Sequence, residues 1–321
     1  MSIISAMRAV TLGICNFRPF GLLLQLYCSV WDQVPRSRST IKRWAFSDAI
    51  AIMPTLMKAA TVLAVPTGPL EVGAVTGPPL ALSVVVPTYR ERENLQELIE
   101  RLTGALYSHV GSSFELIVVD DDSPDRTWQL ASEIALENPH VRVLRRCHER
   151  GLATAVVRGW QVSRGEVLAV MDADLQHPPE LIAQLWSLLQ QPGVDLAIAS
   201  RRADGGRVDG WKLRRQMFSL CARLTGLLLL PRVVGRVSDP MSGCFALRRA
   251  LVQELPLKAK GYKILIEVLS RAEVKGVREV GYVFSSRRHG DSKVTLRVCC
   301  DYLLQLLQLR LESLGRKRLP Q

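Results

Sequence analysis

The chain has 321 residues, 48% of them hydrophobic, enough to bury one large core or two ordinary ones, and it carries no repeats or low-complexity tracts. Its seven cysteines include no C-x-x-C pair, which argues against a disulfide frame or a zinc ribbon and fits a reduced compartment. The net charge of +12 is unevenly placed: residues 81–200 hold 10 Lys/Arg against 17 Asp/Glu, a net −7, while residues 201–297 hold 21 against 8, a net +13. An acidic segment able to hold a cation is thus followed by a basic one suited to a polyanion: a phosphorylated substrate, an anionic membrane or nucleic acid.

Residues 1–80 read as a poorly specified extension. Pro19–Trp31 is apolar but too short to span a bilayer, and Trp44–Val65 is interrupted by Asp48, Pro54 and Lys58. The weak basic start forms a poor secretion signal, and translation from Met53 or Met57 is an expectation of this reading. Pro66–Pro69 and Gly77–Pro79 read as linker.

From Leu80 the pattern becomes regular. Apolar runs at Leu82–Val86, Phe114–Val119, Val141–Leu144, Glu166–Val170 and Val194–Ala199 predict buried strands. Helical spacing predicts helices over Glu93–Tyr107, Thr127–Leu136, Gly151–Val162 and Leu181–Leu189. Such alternation implies an α/β fold with a mostly parallel sheet covered on both faces. No G-x-G-x-x-G follows a strand and no G-x-x-x-x-G-K-[ST] occurs, which argues against a dinucleotide enzyme or a P-loop NTPase. Trp211–Leu230 and Val294–Leu314 are amphipathic and suit either a membrane interface or packing on the sheet. The tail 315–321 is basic, as an anionic lipid surface favours.

The chemistry gathers at Met171-Asp172-Ala173-Asp174-Leu175-Gln176-His177-Pro178-Pro179. Residues two apart in an extended segment point the same way, so Asp172 and Asp174 can aim at one point. Two carboxylates converging there need a cation, and hard oxygen ligands suit Mg²⁺ or Mn²⁺. A solvated turn is the plainer reading of an isolated Asp-x-Asp, but the end of a buried strand is where α/β sheets bind ligands.

Further stretches share this placement: Pro87-Thr88-Tyr89-Arg90-Glu91, Val118-Val119-Asp120-Asp121-Asp122-Ser123-Pro124-Asp125, Ser238-Asp239-Pro240-Met241-Ser242-Gly243 and Arg287-Arg288-His289-Gly290-Asp291-Ser292-Lys293. Together, over about residues 81–310, they resemble the family 2 glycosyltransferases of GT-A fold, with the nearest likeness among the dolichol-phosphate or polyprenol-phosphate mannosyltransferases. The resemblance implies that Pro87, Tyr89 and Glu91 line the base and ribose, that Val118 and Asp120 belong to the base-binding strand end, and that Ala173 lies against the nucleotide. It implies that Asp172 and Asp174, with Gln176 nearby, hold Mg²⁺ or Mn²⁺. Arg201, Arg287 and Lys293 match basic positions that contact donor or acceptor phosphates, and Asp239 faces acceptor or sugar if it is not simply turn chemistry. Asp174, Arg201 and Asp239 are the expected catalytic set. Two departures from the family pattern flank the site, Arg90 where Asn is common and Arg126 where Gly is common.

The expected reaction is inverting, metal-dependent transfer of mannose from GDP-mannose to a polyprenyl (dolichyl) phosphate at the cytoplasmic face of a membrane, with a small membrane-anchoring subunit as a possible partner. A UDP-sugar donor such as UDP-glucose is the alternative. A non-catalytic nucleotide-sugar or lipid-binding module is more distant, because both carboxylates are present. Processive synthases carry Q-x-x-R-W, which is absent. Sparse aromatics and the lack of any nucleic-acid motif argue against a nucleic-acid partner. Of the remaining candidates, one of Asp120–Asp122 is expected to cap the next helix. His177 is expected to be structural or solvent-facing, and Arg214, Arg215, Arg248 and Arg249 to face the surface or a membrane.

Overall fold

Strands with apolar residues on both faces require cover on both sides, and the sheet is built accordingly. The computed structural model describes residues 62–75, 77–208, 213–258, 263–285 and 296–316. Strands β1 (Leu80–Thr88), β2 (Phe114–Asp120), β3 (Val141–Arg145) and β4 (Gly165–Met171) alternate with helices α1 (Arg92–Val110), α2 (Thr127–Glu137) and α3 (Leu152–Val162). Helix α4 (Leu181–Leu189) and strand β5 (Leu196–Ser200) follow. A short strand β6 (Arg207–Val208), the amphipathic α5 (Leu213–Leu229) and the one-turn α6 (Pro231–Val234) lead to β7 (Cys244–Arg248). The chain continues through α7 (Ile264–Arg271), β8 (Val277–Gly281), β9 (Val283–Phe284) and α8 (Leu296–Arg316).

The main sheet has the order β3-β2-β1-β4-β7-β5-β8. Its pairs are parallel except where β7 runs antiparallel between β4 and β5. This is the mostly parallel, helix-flanked arrangement of a GT-A-like fold. The purely local patterns that predict the first five strands say nothing of β7. It begins beside the end of β4, with Cys244 opposite Met171. The preceding Ser238–Gly243 segment is thereby delivered to the Asp172 end of the sheet.

Alternate residues feed two cores. Val84 and Val86 face α1 and α4, while Val85, Ile117 and Val119 face α3 and α7. Helix α3 sits unusually close to the sheet at Gly159, where an added Cβ would fall 2.6 Å from Val85 Cγ1.

The stretch expected as linker is instead strapped along the second core. Val62 bridges to Val143 and Val72 to Gln253, and Val72 is fully buried. Gln161 donates to the carbonyls of Pro69 and Glu71, and Arg249 to that of Gly73. Proline has no N–H with which to join a ladder, and side chains of the domain bond the carbonyls of this segment, which has no regular structure.

Helices α5 and α8 meet through a small cluster that includes Leu230, Val234, Tyr302 and Leu306, with Tyr302 Oη donating to Ala222 O at 3.0 Å. Their buried faces pack on each other and on α6 and α7 rather than on the sheet. Outward stand Leu220, Leu224 and Leu228 on one helix and Leu304, Leu307 and Leu311 on the other, Leu228 being 81% and Leu311 69% exposed. No helix of the described residues is long and apolar enough to cross a membrane.

Candidate active site

Parallel strands end on one edge of the sheet, and the carboxyl ends of β1, β2 and β4 bring their motifs there together. Asp120 closes β2 and is fully buried. It accepts from Thr88 Oγ1 at 2.8 Å, Ser123 N at 2.8 Å and Ser123 Oγ at 2.6 Å. Burial raises its pKa despite these donors. Asp121 takes the Arg146 guanidinium and Gly151 N, so it secures the start of α3. Asp122 pairs with Arg145, whose guanidinium lies 3.7 Å from the Trp128 ring centroid. None of the three caps α2, contrary to expectation. That task falls to Asp125, which accepts from Thr127 N at 3.1 Å and Thr127 Oγ1 at 2.7 Å, because only the later residue reaches the first helical turn.

The β1–β2 end opens into a cavity of about 520 Å³ beside Tyr89. Three residues on its wall, Arg90, Asp122 and Arg126, have left-handed backbones with φ of 56°, 53° and 61°. That conformation costs a non-glycine residue roughly 1–2 kcal/mol. Arg90 and Arg150 both lie over Tyr89, at 5.4 and 5.7 Å from the ring centroid.

At the β4 end, Leu175 is also left-handed, with φ of 55°, which folds the chain back after Asp174. Gln176 N donates to Asp174 Oδ1 at 3.2 Å. The Gln176 amide nitrogen donates to Ser285 O at 2.9 Å, so its side-chain oxygen is the atom it can offer a cation. Ser285 N in turn bonds Gln176 O at 3.3 Å, so the end of the described stretch 263–285 is tied to the loop after Asp174. Gly243 approaches Asp172 so closely that a Cβ there would sit 2.0 Å from Asp172 Oδ2. Among the described residues no three His, Cys, Asp or Glu side chains are grouped so as to hold a metal ion by themselves. Two carboxylates and an amide oxygen fit a divalent ion that takes its remaining oxygen ligands from a phosphate-bearing substrate and water.

The basic half enters through Arg201 and Lys263. Arg201 makes a two-pronged bond to Asp239, Nε to Oδ2 at 2.6 Å and Nη2 to Oδ1 at 2.7 Å. Burial pushes Asp239 upward, but the guanidinium outweighs it and holds the carboxyl below the usual range. Asp239 also sits in a turn, since its carbonyl accepts from Ser242 N at 3.2 Å. Lys263 donates to Met241 O at 2.8 Å and lies in the field of Asp172, Asp239 and Asp174. Burial, with Arg201 nearby, lowers its pKa against the pull of those carboxylates.

His177 is buried rather than solvent-facing. It stacks on Tyr282 and meets Phe284 edge-on, and burial pushes its pKa down to about 4. It is a neutral packing residue at neutral pH. Its Nδ1 and the Tyr282 hydroxyl are buried without a hydrogen-bond partner among the described residues, each at a desolvation cost of about 1–3 kcal/mol.

Of the residues expected from sequence, Pro87, Tyr89, Glu91, Val118 and Asp120 lie at the β1–β2 end, and Asp172, Ala173, Asp174 and Gln176 at the β4 end. Val118 and Ala173 face the first core, so only their backbones or small surfaces can meet a ligand. Glu91 is held by Asn94 Nδ2 at 2.9 Å, and its own N–H bonds Thr127 Oγ1. Arg287 and Lys293, with Arg214, Arg215 and residues 1–61, fall outside what is described here of side chains or structure. Arg249 is buried, not surface-facing, and bonds Gly165 O and Ser163 O, tying β7 to the start of β4. Lys263 had no signal in the sequence, where it is one lysine in Gly261-Tyr262-Lys263.

Residues 83–256 match the family described as Glycosyl transferase family 2. The chain is 44% identical over 230 residues to a dolichol-phosphate mannosyltransferase of Pyrococcus furiosus, covering 72% of this chain and 64% of the relative's length. To the dolichol-phosphate mannosyltransferase of Saccharomyces cerevisiae it is 33% identical over 246 residues, 74% of this chain and 90% of the relative. Its fold matches a crystal structure of glucosyl-3-phosphoglycerate synthase from Mycobacterium tuberculosis in complex with Mn²⁺, UDP and glucosyl-3-phosphoglycerate, at a TM-score of 0.55 and 24% identity over 75% of this chain and 81% of that one.

Proposed function

This chain belongs to glycosyl transferase family 2, and from that premise we propose that it transfers mannose from GDP-mannose to a polyprenyl (dolichyl) phosphate. The curated relatives named for that reaction support this reading of the substrates. The observation that carries it is the meeting, at one sheet edge, of the Asp172–Asp174 pair with Lys263 and the Arg201–Asp239 pair. Asp172 and Asp174, with the Gln176 oxygen, would hold Mg²⁺ or Mn²⁺, which supplies Lewis-acid neutralisation of the donor's diphosphate.

The reaction breaks the bond between the sugar's anomeric carbon and the diphosphate oxygen, whose electron pair leaves with GDP. An oxygen of the lipid phosphate forms the new bond from the opposite face, giving inversion. That oxygen is already anionic at neutral pH, so no strong base is required. The residues here agree: His177 is buried and neutral, and Asp239 is committed to Arg201. What the chain must do is hold two polyanions together, and Lys263 and Arg201 place positive charge where diphosphate charge grows. Arg287 and Lys293 are proposed to add to it, as the family resemblance implies.

The leucine rows on α5 and α8 are proposed to lie in the membrane interface, presenting the site to a lipid-bound acceptor on the cytoplasmic face, where nucleotide sugars are held. A small anchoring subunit is compatible with the same surface. In a vesicle flotation assay, the Leu224→Asp/Leu228→Asp/Leu311→Asp protein should leave the lipid fraction while remaining folded. Flotation equal to the parent chain would remove these helices as the attachment.

Transfer is tested with a panel of labelled nucleotide sugars and polyprenyl phosphate, with and without Mg²⁺ or Mn²⁺. GDP-mannose should give lipid-linked product only with metal. Product from UDP-glucose instead would replace the donor, and metal-independent product would remove the proposed ion.

A further inference from the structure

The strap of residues 62–75 precedes the stretch that matches the family, yet the domain commits buried charge to holding it. Gly68 has φ of 99°, a conformation that glycine enters freely, and its carbonyl accepts from Arg158 Nη2 at 3.2 Å. Gln161, one helical turn further along α3, donates to Pro69 O at 2.8 Å and Glu71 O at 2.9 Å. The carbonyls of Leu70 and Val72 accept from Leu257 N and Glu254 N at 3.1 and 2.9 Å.

Arg158 does not end at the strap. It forks onto Glu149, Nη2 to Oε1 at 2.6 Å and Nε to Oε2 at 3.0 Å. Glu149 Oε2 also accepts from Arg146 Nη1 at 3.4 Å. Arg146 in turn holds Asp121, Nε to Oδ1 at 2.7 Å, and donates to Gly151 O at 2.9 Å. Its own N–H bonds Asp120 O at 2.8 Å. The Arg146 and Arg158 side chains are 0% and 6% exposed. Alternating charges thus run from the strap to the end of β2. Fastening alone does not require them, because apolar side chains of like volume hold a segment as well as a buried ion pair does. What a forked, charge-assisted bond adds is direction, since it fixes the angle as well as the distance of its partner.

The group so directed is Glu149, in the connection between β3 and α3. That connection has no regular structure, and Cys147, His148 and Arg150 in it are exposed. Arg150 follows Glu149 directly, lines the cavity at the β1–β2 end and lies over Tyr89. We infer, on the reading that the donor nucleotide binds at that end, that residues 62–75 are a positioning element of the nucleotide site, acting through Arg158 and Glu149 on residues 147–150. With the strap seated, the Arg158 fork holds Glu149, and the cavity wall is set before any ligand arrives. With the strap loosened, Glu149 turns to water and the connection gains freedom, which binding must then remove at a cost in affinity.

The test uses the full chain, its Gly68→Val/Gln161→Ala protein and its Glu149→Ala protein. The first loosens the strap without entering the core, and the second leaves the strap's own bonds in place while cutting the link to the connection. GDP and UDP binding with Mn²⁺, transfer, Tm and amide hydrogen exchange are measured. Each variant should bind the nucleotide that the parent prefers roughly 2- to 30-fold more weakly, the range of coupling through a packed network. Donor KM should rise with it while kcat holds within about twofold, because binding rather than chemistry is disturbed. The Gly151 amide, which donates to Asp121 Oδ2 at 2.8 Å, should exchange faster in both. The combined variant should lose little more affinity than either alone, since both cut one path. A strap that only stabilises would lower Tm while nucleotide affinity and Gly151 exchange stay at parent values, and that result overturns the inference, as do additive losses. A parent chain that binds neither nucleotide would overturn the donor reading itself, and the positioning role with it.

Discussion

Gly243→Ala is expected to abolish transfer while leaving the protein folded. No positive φ marks Gly243, so its backbone suits alanine and the effect comes from contact alone. The added methyl would stand 2.0 Å from Asp172 Oδ2 and 2.6 Å from Asp172 Cγ, well inside any van der Waals contact. Both sides of the clash are constrained, since β7 is locked to β4 immediately after Gly243, and Asp172 directly follows β4. The Asp172 carboxylate must rotate away from the position it holds beside Gly243. Losing one of the two carboxylates proposed to hold the ion should lower kcat/KM at least about 100-fold, roughly 3 kcal/mol in the barrier. Asp174→Asn should fall as far. The readouts are transfer and the Tm increase given by Mn²⁺ with GDP, which Gly243→Ala should lose while its metal-free Tm moves little. Parent-like transfer by Gly243→Ala would show that Asp172 is not needed where the structure holds it.

Arg201→Met has the second large effect, and it acts on stability as well as rate. The Arg201 and Asp239 side chains are only 11% and 2% exposed. Removing the guanidinium leaves a buried carboxylate without its compensating charge, which costs about 3–5 kcal/mol. The pH dependence follows from the direction of the Asp239 shift. Arg201 holds that carboxyl below its unfolded value. The pair's contribution is therefore complete above the unfolded carboxylate range, and is lost as pH falls through the folded pKa. In Arg201→Met, burial is opposed mainly by the weaker pull of Lys263 and raises Asp239, so acid relieves the variant while it weakens the parent. The Tm gap between them should be widest near neutral pH and narrow below about pH 4. Arg201→Met/Asp239→Asn should recover part of the Tm at pH 7 but no transfer, separating the structural task of the pair from its charge toward substrate. A Tm gap independent of pH would show that the pair is not what stabilises this corner.

The first four strands and the helices between them were legible because their signals are local. Leu95, Leu98, Ile99, Leu102 and Leu106 repeat at helical spacing and all point into the core of α1. The apolar run before Asp172 needs only a strand to place two carboxylates at its end. By contrast, Cys244–Arg248 carries one short apolar run before an arginine and becomes a strand only because β4 and β5 flank it. The proline-rich stretch before Leu80 looked like linker because its residues resist regular pairing. Gln161, Arg158 and Arg249 supply the bonds it cannot make for itself.

What the sequence determined is the alternation of buried strands with helices, and the two carboxylates at the end of β4. Side-chain period and strand length are properties of neighbouring residues. Tertiary structure alone decided which charges meet those carboxylates. Lys263, Arg201, Asp239 and Gly243 reach Asp172 and Asp174 only through crossovers that insert β7 against β4, and interactions between charges act over a few ångströms, not along the chain. The Asp-x-Asp pair was therefore visible from its spacing as two carboxylates at one strand end. That these carboxylates lie between the cavity at the β1–β2 end and the charges of Lys263 and Arg201 follows from the order in which the sheet was assembled.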